Sequence, residues 1–212
     1  MAAAWPRRLG GAPGADIPAG WSVNLGIGIP TLVGNYVPPE REVVFHSENG
    51  IVGMGPAPAP DRINRWLINA SSQYVTLRSG GSYMSHSDSF ALVRGGHLDL
   101  CVLGAFQVAE NGDLANWARS EDDNAPAIGG AMDLAAGAKR IWVVMEHNTR
   151  SGEPRLLKRC SYPLTAAGCV KRVYTELAVI DVTPRGFVVI DMVPGLSFEE
   201  LQARTEAPLA AA

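Results

Sequence analysis

A carboxylate ends a short apolar run in Val43-Val44-Phe45-His46-Ser47-Glu48-Asn49-Gly50. The run has strand character and stops at Asn-Gly, a strong turn signal because both residues tolerate positive φ. A Glu on a sharp turn at a strand end projects its carboxylate away from the backbone, where it can act as a nucleophile, a base or a ligand. Taken alone, a Glu before Asn-Gly is ordinarily a solvated turn residue. Its company raises the chemical reading. Gly-rich turns recur where apolar runs end, at Gly26/Gly28, Gly50, Gly95/Gly96 and Gly129/Gly130. Each pair is by itself a plain turn, but ligands bind at strand ends in open α/β sheets.

Other chemistries find little footing. Gly26-Ile27-Gly28 begins like a dinucleotide loop, yet Thr31 stands where the third glycine of G-x-G-x-x-G belongs. No Walker A loop or G-x-S-x-G elbow occurs. His46, His86, His97 and His147 are scattered singly, without metal-ligand spacing, so no metal site is expected. Cys101, Cys160 and Cys169 form no C-x-x-C pair and read as buried reduced thiols of a cytoplasmic protein.

The elements that must position Glu48 follow from patterning. Residues 22–25 read as a buried strand running into Gly26-Ile27-Gly28-Ile29-Pro30, with Pro30 suited to the first turn of a helix to residue 36. A strand spans 42–46 before the Glu48 turn. Residues 53–62 form a loop, 63–70 a short helix and 74–77 a strand. Ser85 to Asp88 can cap a helix over 89–93, ended by Gly95-Gly96. Strands are expected at 98–103, 107–109, 114–117, 141–145, 156–160, 170–174, 178–182 and 187–190. Residues 118–127 read as a polar loop and 131–138 as a helix. Ser197-Phe198-Glu199-Glu200 is a capping box opening a last helix. Strands alternating with short helices give an α/β class, an open, mostly parallel or mixed sheet flanked by helices.

The 212 residues suffice for one sizeable domain, expected over 21–212. Residues 1–20, rich in Gly, Ala and Pro, read as a poorly ordered lead-in with no apolar signal-peptide region. Apolar residues make up 47% and charged residues 18%, a globular composition. The formal charge of −3 with no basic block argues against nucleic acid, and no apolar run is long enough for a membrane span.

The chain also resembles the B subunits of family I CoA-transferases acting on 3-oxoacids. The resemblance rests on ordered blocks across 21–205: Val23-Asn24-Leu25-Gly26-Ile27-Gly28-Ile29-Pro30-Thr31-Leu32-Val33, Ser47-Glu48-Asn49-Gly50, Arg94-Gly95-Gly96-His97-Leu98-Asp99-Leu100, Gly112-Asp113-Leu114-Ala115-Asn116-Trp117, Gly129-Gly130-Ala131-Met132-Asp133-Leu134 and Met145-Glu146-His147. His46, Pro56-Ala57-Pro58, Ser87-Asp88-Ser89-Phe90 and Cys160-Ser161-Tyr162-Pro163 lean toward the branch that moves CoA from succinyl-CoA to 3-oxoadipate, in aromatic-compound breakdown. The resemblance implies a CoA-transferase fold, Glu48 as nucleophile, and a ping-pong route through a glutamyl-CoA thioester. It implies no tightly bound cofactor, the CoA thioester being substrate and covalent intermediate. Backbone N–H groups of Gly28, Gly130 and Ala131 are the expected oxyanion donors. Gly129 is expected against CoA, with Asn24 and Asn49 as substrate- or CoA-contacting groups. It further implies a separate A subunit, in an α2β2 assembly. Rival readings are an acetoacetate:succinyl-CoA transferase, an acyl-CoA hydrolase, and a non-enzymatic sensor. The Gly/Pro-rich residues 1–20, the basic stretch 61–66 and the acidic segment 118–126 depart from the family pattern.

Overall fold

The computed structural model of the chain describes residues 7–120 and 128–212. Its frame is one ten-stranded mixed sheet, in the order β13-β12-β11-β10-β8-β5-β1-β2-β3-β4. The strands are β1 (Ser22–Leu25), β2 (Val44–Ser47), β3 (Ile51–Met54), β4 (Leu77–Tyr83), β5 (Leu100–Leu103), β6 (Gln107–Ala109), β7 (Leu114–Ala115), β8 (Ile141–Val144), β9 (Leu156–Leu157), β10 (Val170–Tyr174), β11 (Ala178–Thr183), β12 (Gly186–Met192) and β13 (Leu209–Ala211). The central strands β2, β1, β5, β8 and β10 pair in parallel. The β10-β11-β12 and β2-β3-β4 flanks are antiparallel. A small sheet, β7-β6-β9, packs beside the large one.

The centre is parallel because it is covered on both faces. Every residue of β5 and of β8 is buried, as continuous apolar runs require. Their alternation sorts side chains into two cores. Cys101, Leu103, Ile141 and Val143 join Val93 of helix α2 (His86–Arg94) and Leu134 and Ala135 of α3 (Ala131–Gly137) on one face. Leu100, Val102, Trp142 and Val144 join Val33, Leu9 and Ile17 on the other.

The lead-in differs from its expectation. Its residues 1–6 lie outside the described residues, but Arg7–Gly11 and Ala12–Asp16 (α1) form helical turns, and Leu9 and Ile17 are wholly buried. The glycines there serve close packing. A Cβ on Gly10 would stand 2.6 Å from the Tyr36 ring. The Tyr174 hydroxyl and the Arg172 guanidinium both donate to Asp16, at 2.8 and 3.2 Å.

The β3–β4 region differs too. Residues 63–70 are not helical. Their turns are built by Asn69, whose Oδ1 accepts from the N–H groups of Ser71 and Gln73, an Asx arrangement that competes with helix. The strand expected at 74–77 instead begins at Leu77 and runs through Gly80-Gly81, with Gly80 at φ 83°. The segment 30–36 winds as a 3-10 helix (Ile29–Tyr36). The two caps read from sequence form as expected. Ser85 accepts from the Asp88 N–H, and Ser197 with Glu200 completes a capping box for α4 (Phe198–Gln202).

Candidate active site

The chain leaves β1 toward β2 on one side of the sheet, while β5, β8 and β10 extend it on the other. This reversal leaves a crevice outside the carboxyl ends of the parallel strands, the usual ligand position in open α/β sheets. The crevice is a cleft of about 380 Å³. Its lining comes from those ends: Gly26 and Ile27 after β1, Glu48 after β2, Leu103 to Phe106 around the end of β5, and Val144 and Met145 at the end of β8. Ile128, Gly129, Gly130 and Ala131 close one part, and Asn116, Arg119 and Arg155 add polar side chains.

Glu48 sits in a tight turn closed by the Gly50 N–H donating to the Ser47 carbonyl at 2.9 Å. Gly50 has φ 108°, and a Cβ there would lie 2.2 Å from the Met84 carbonyl oxygen, so the turn accepts only glycine. Burial raises the Glu48 carboxyl above its ordinary pKa, with nearby His86 opposing the shift. Desolvation strips a carboxylate of water and makes it a better nucleophile toward a carbonyl carbon.

Beneath the turn runs a buried polar chain. Cys101 donates to Asn24 Oδ1 at 3.6 Å, which orients the Asn24 amide. Asn24 Nδ2 meets His46 Nδ1 at 3.0 Å, and His46 Nε2 meets Ser89 Oγ of α2 at 2.8 Å. Since Nδ1 accepts from the amide, the proton lies on Nε2 and is donated to Ser89. Burial lowers the His46 pKa to about 4, so the ring is neutral. The chain ties β5, β1, β2 and α2 together directly under Glu48. Ser47 Oγ accepts the Ala70 N–H at 2.9 Å, and Asn49 Nδ2 donates to the Ile68 carbonyl at 2.8 Å, so both side chains anchor the 63–76 segment.

Of the expected site residues, Glu48, Gly129, Gly130 and Ala131 line the cleft, and Gly28 lies between its lining neighbours Ile27 and Ile29. Asn24 and Asn49 do not line it. Asn24 is only 1% exposed, and its contact with the Glu48 turn runs through His46. The Ala131 N–H donates to the Ile128 carbonyl at 3.0 Å, which removes it from the expected donor set. This bond closes a tight turn with Gly129 at φ 48°. Gly130 faces Glu48: a Cβ on it would stand 3.4 Å from Glu48 Oε2 and 2.4 Å from the Phe90 ring. The polar loop expected at 118–127 lies outside the described residues from 121 onward.

Sequence reasoning missed Arg119, Asn116 and Arg155. Asn116 is committed to structure, donating to the Gly104 carbonyl at 3.1 Å and accepting from Thr165 at 2.6 Å. Arg155 stood among ordinary surface cations, and nothing in the sequence set it apart.

Residues 12–203 match the family described as Coenzyme A transferase. The chain is 54% identical over 194 residues to the B subunit of the 3-oxoadipate CoA-transferase of Acinetobacter baylyi, covering 92% of this chain and 89% of the relative. It is 54% identical to the protein of the same name in Pseudomonas putida, covering 92% and 91%. The B subunit of a probable succinyl-CoA:3-ketoacid coenzyme A transferase of Bacillus subtilis is 45% identical, covering 92% and 90%. Among solved structures, an acyl-CoA transferase of Escherichia coli O157:H7 superposes with a TM-score of 0.77 at 16% identity. There the chain is 98% covered but spans only 42% of that enzyme's length. Glutaconate coenzyme A-transferase of Acidaminococcus fermentans gives a TM-score of 0.71 at 15% identity, covering 97% and 86%. Those two structures speak for the fold alone.

Proposed function

The chain belongs to the coenzyme A transferase family, and from that premise we propose that it is the B subunit of a 3-oxoadipate CoA-transferase, taking CoA from succinyl-CoA. The observation that carries the reading is a half-buried carboxylate, Glu48, with a raised pKa, at the switch point of a parallel sheet and against a glycine turn. The choice of acid follows the relatives named above.

In this reading the ionised Glu48 attacks the thioester carbonyl of the acyl-CoA. The tetrahedral oxyanion collapses, CoA thiolate leaves, and an acyl-glutamyl anhydride forms. The thiolate then attacks the Glu48 carbonyl and the first acid departs as its carboxylate, leaving a glutamyl-CoA thioester. The second acid's carboxylate enters, and the steps run backward to restore free Glu48. No net proton moves, so no general base is required. Each oxyanion needs preset donors, and the backbone N–H groups of Gly28 and Gly130 supply them, without a Cβ to block approach. Gly129 lies against the thioester arm. Neutral His46, held by Asn24 and Ser89, keeps the carboxylate turn in place. Water must stay out of the cleft, or the thioester would hydrolyse.

A separate A subunit completes the enzyme in an α2β2 assembly in the cytoplasm, and no tightly bound cofactor takes part. Among the described residues, no helix is long and apolar enough to cross a membrane.

The test combines the chain with its A subunit and succinyl-CoA and seeks, by mass spectrometry, CoA attached to Glu48. The adduct and turnover should both vanish in Glu48→Ala. An active Glu48→Ala enzyme sinks the mechanism, and equal or better use of acetoacetate overturns the choice of acid.

A further inference from the structure

The cleft that holds Glu48 carries, among the described residues, two cationic side chains, Arg119 and Arg155. A single acyl group attached through its carbonyl needs neither. We propose that Arg155 is the residue that selects dicarboxylic acyl groups, by binding the carboxylate at the end remote from the thioester. This rests on the CoA-transfer reading of Glu48 and deepens it.

Three observations carry the assignment. First, Arg155 is fixed by its backbone. Its N–H donates to the His147 carbonyl at 3.2 Å, and its carbonyl accepts from the Val108 N–H at 3.0 Å. The next residue, Leu156, is wholly buried in the core, which anchors the chain there, while the Arg155 side chain lines the cleft. A guanidinium whose backbone is held by two hydrogen bonds next to a strand is better placed for recognition than one on a loose loop.

Second, its partner leaves it available. Glu146 approaches Arg155 Nη2 at 3.6 Å. That exceeds the separation of about 2.7–2.9 Å expected of a charge-assisted hydrogen bond. Glu146 therefore orients the guanidinium without saturating its donors. A planar guanidinium has further N–H groups in a fork that fits a carboxylate two-pronged.

Third, apart from Arg119, the other side chains of the lining are unsuited to a free carboxylate. Asn116 has its amide bonded to Gly104 and Thr165, and Ile27, Pro30, Leu103, Ala105 and Met145 are apolar. Arg119, stacked over the Phe106 ring at 5.3 Å, raises the positive potential of the same cleft. A diacid drawn into this cleft sets one carboxyl carbon at Glu48 and its other carboxylate at the arginine. Succinyl and 3-oxoadipyl groups share that second carboxylate, so one residue serves both donor and acceptor.

The test uses the assembled complex with its A subunit and reads kcat/KM for succinyl-CoA against butyryl-CoA, which has a methyl group at the remote end. Arg155→Met should lower the succinyl-to-butyryl ratio by about 100-fold, mostly through KM, because a desolvated charge-assisted pair is lost. Arg155→Lys should recover about a tenth of the wild-type ratio, as a point charge without the fork. An unchanged ratio, with both substrates slowed alike, overturns the assignment. In that event a wild-type CoA adduct at Glu48 leaves the CoA-transfer reading standing, whereas a wild-type complex that forms no adduct overturns both. Circular dichroism and complex assembly, unchanged in Arg155→Met, exclude misfolding as the cause of the shift.

Discussion

Two buried histidines brace the two chemically charged parts of the cleft, and they do so by different routes. His46 lies on β2 two positions before Glu48 and joins Asn24 to Ser89. His147 follows β8 and joins Thr175 to Thr205, at 3.1 and 2.8 Å. Its own carbonyl receives the Arg155 N–H, and its neighbour Glu146 pairs with the Arg155 side chain. Burial lowers both rings to a pKa of about 4. The comparison teaches that the same neutral, doubly hydrogen-bonded ring can brace the proposed reacting group in one place and the proposed binding group in another. In the proposed reading, His46 braces the carboxylate that makes and breaks bonds, and His147 braces the cation that only holds.

Breaking the reacting side should cost most. Glu48→Gln keeps the size but removes the proposed nucleophile, and turnover should fall at least about 10³-fold. A residual rate near wild type, measured with the A subunit present, would place the chemistry elsewhere. Next is Gly130→Ala, whose methyl would collide with the Phe90 ring at 2.4 Å and crowd Glu48. It should lower kcat about 10–100-fold and stability by about 1–3 kcal/mol, checked by kinetics and urea unfolding.

The histidines test the contrast itself. His46→Ala and His147→Ala should each destabilise by about 2–4 kcal/mol, because each orphans two buried partners. Their kinetics should then part, with His46→Ala lowering kcat and His147→Ala raising the KM for diacids. Equal effects on kcat would erase the distinction. Acid should expose the same pair. Each ring binds its proton more readily unfolded than folded, so the unfolded state gains protons as pH falls from about 6.5 to about 4. Stability should therefore fall through that window, by on the order of 2–3 kcal/mol per ring, and chemical denaturation at stepped pH reads the slope. The raised Glu48 carboxyl acts in the same sense on activity, shifting the acid limb of the rate profile upward from an ordinary glutamate's. The smallest effect lies far from the cleft: Ser197→Ala removes the α4 cap and should cost about 1 kcal/mol of stability with no kinetic change.

The Glu48 turn, the caps and the parallel strands were legible because local chemistry decides them. Asn-Gly makes a turn wherever it falls, and a wholly apolar run such as residues 141–144 can only be buried. The misread parts depended on partners distant in the chain. Gly10 and Gly14 suggest looseness until Tyr36 packs on them. Gly80 and Gly81 weaken strand character, yet β4 forms because β3 offers an edge to pair with. Asn24 has the right type for substrate contact, but His46 and Cys101 occupy both ends of its amide. Arg155 was invisible because what distinguishes it is its place at the cleft, held by backbone bonds to His147 and Val108, and residue type alone does not show place.

The position of β1 bears on how the chain reaches this state. Its four residues are flanked by β2, whose partners lie 22 residues away, and by β5, whose partners lie 77 away. During synthesis β1 has no second neighbour until residue 102 has emerged. Until then its apolar face has only one edge satisfied, and closing so long a loop is entropically slow. The pairing of β1 with β5 therefore waits on the longest loop closure of the sheet, and the stretch from residue 22 to residue 102 is where a nascent chain of this design is exposed to mispairing and to chaperone capture.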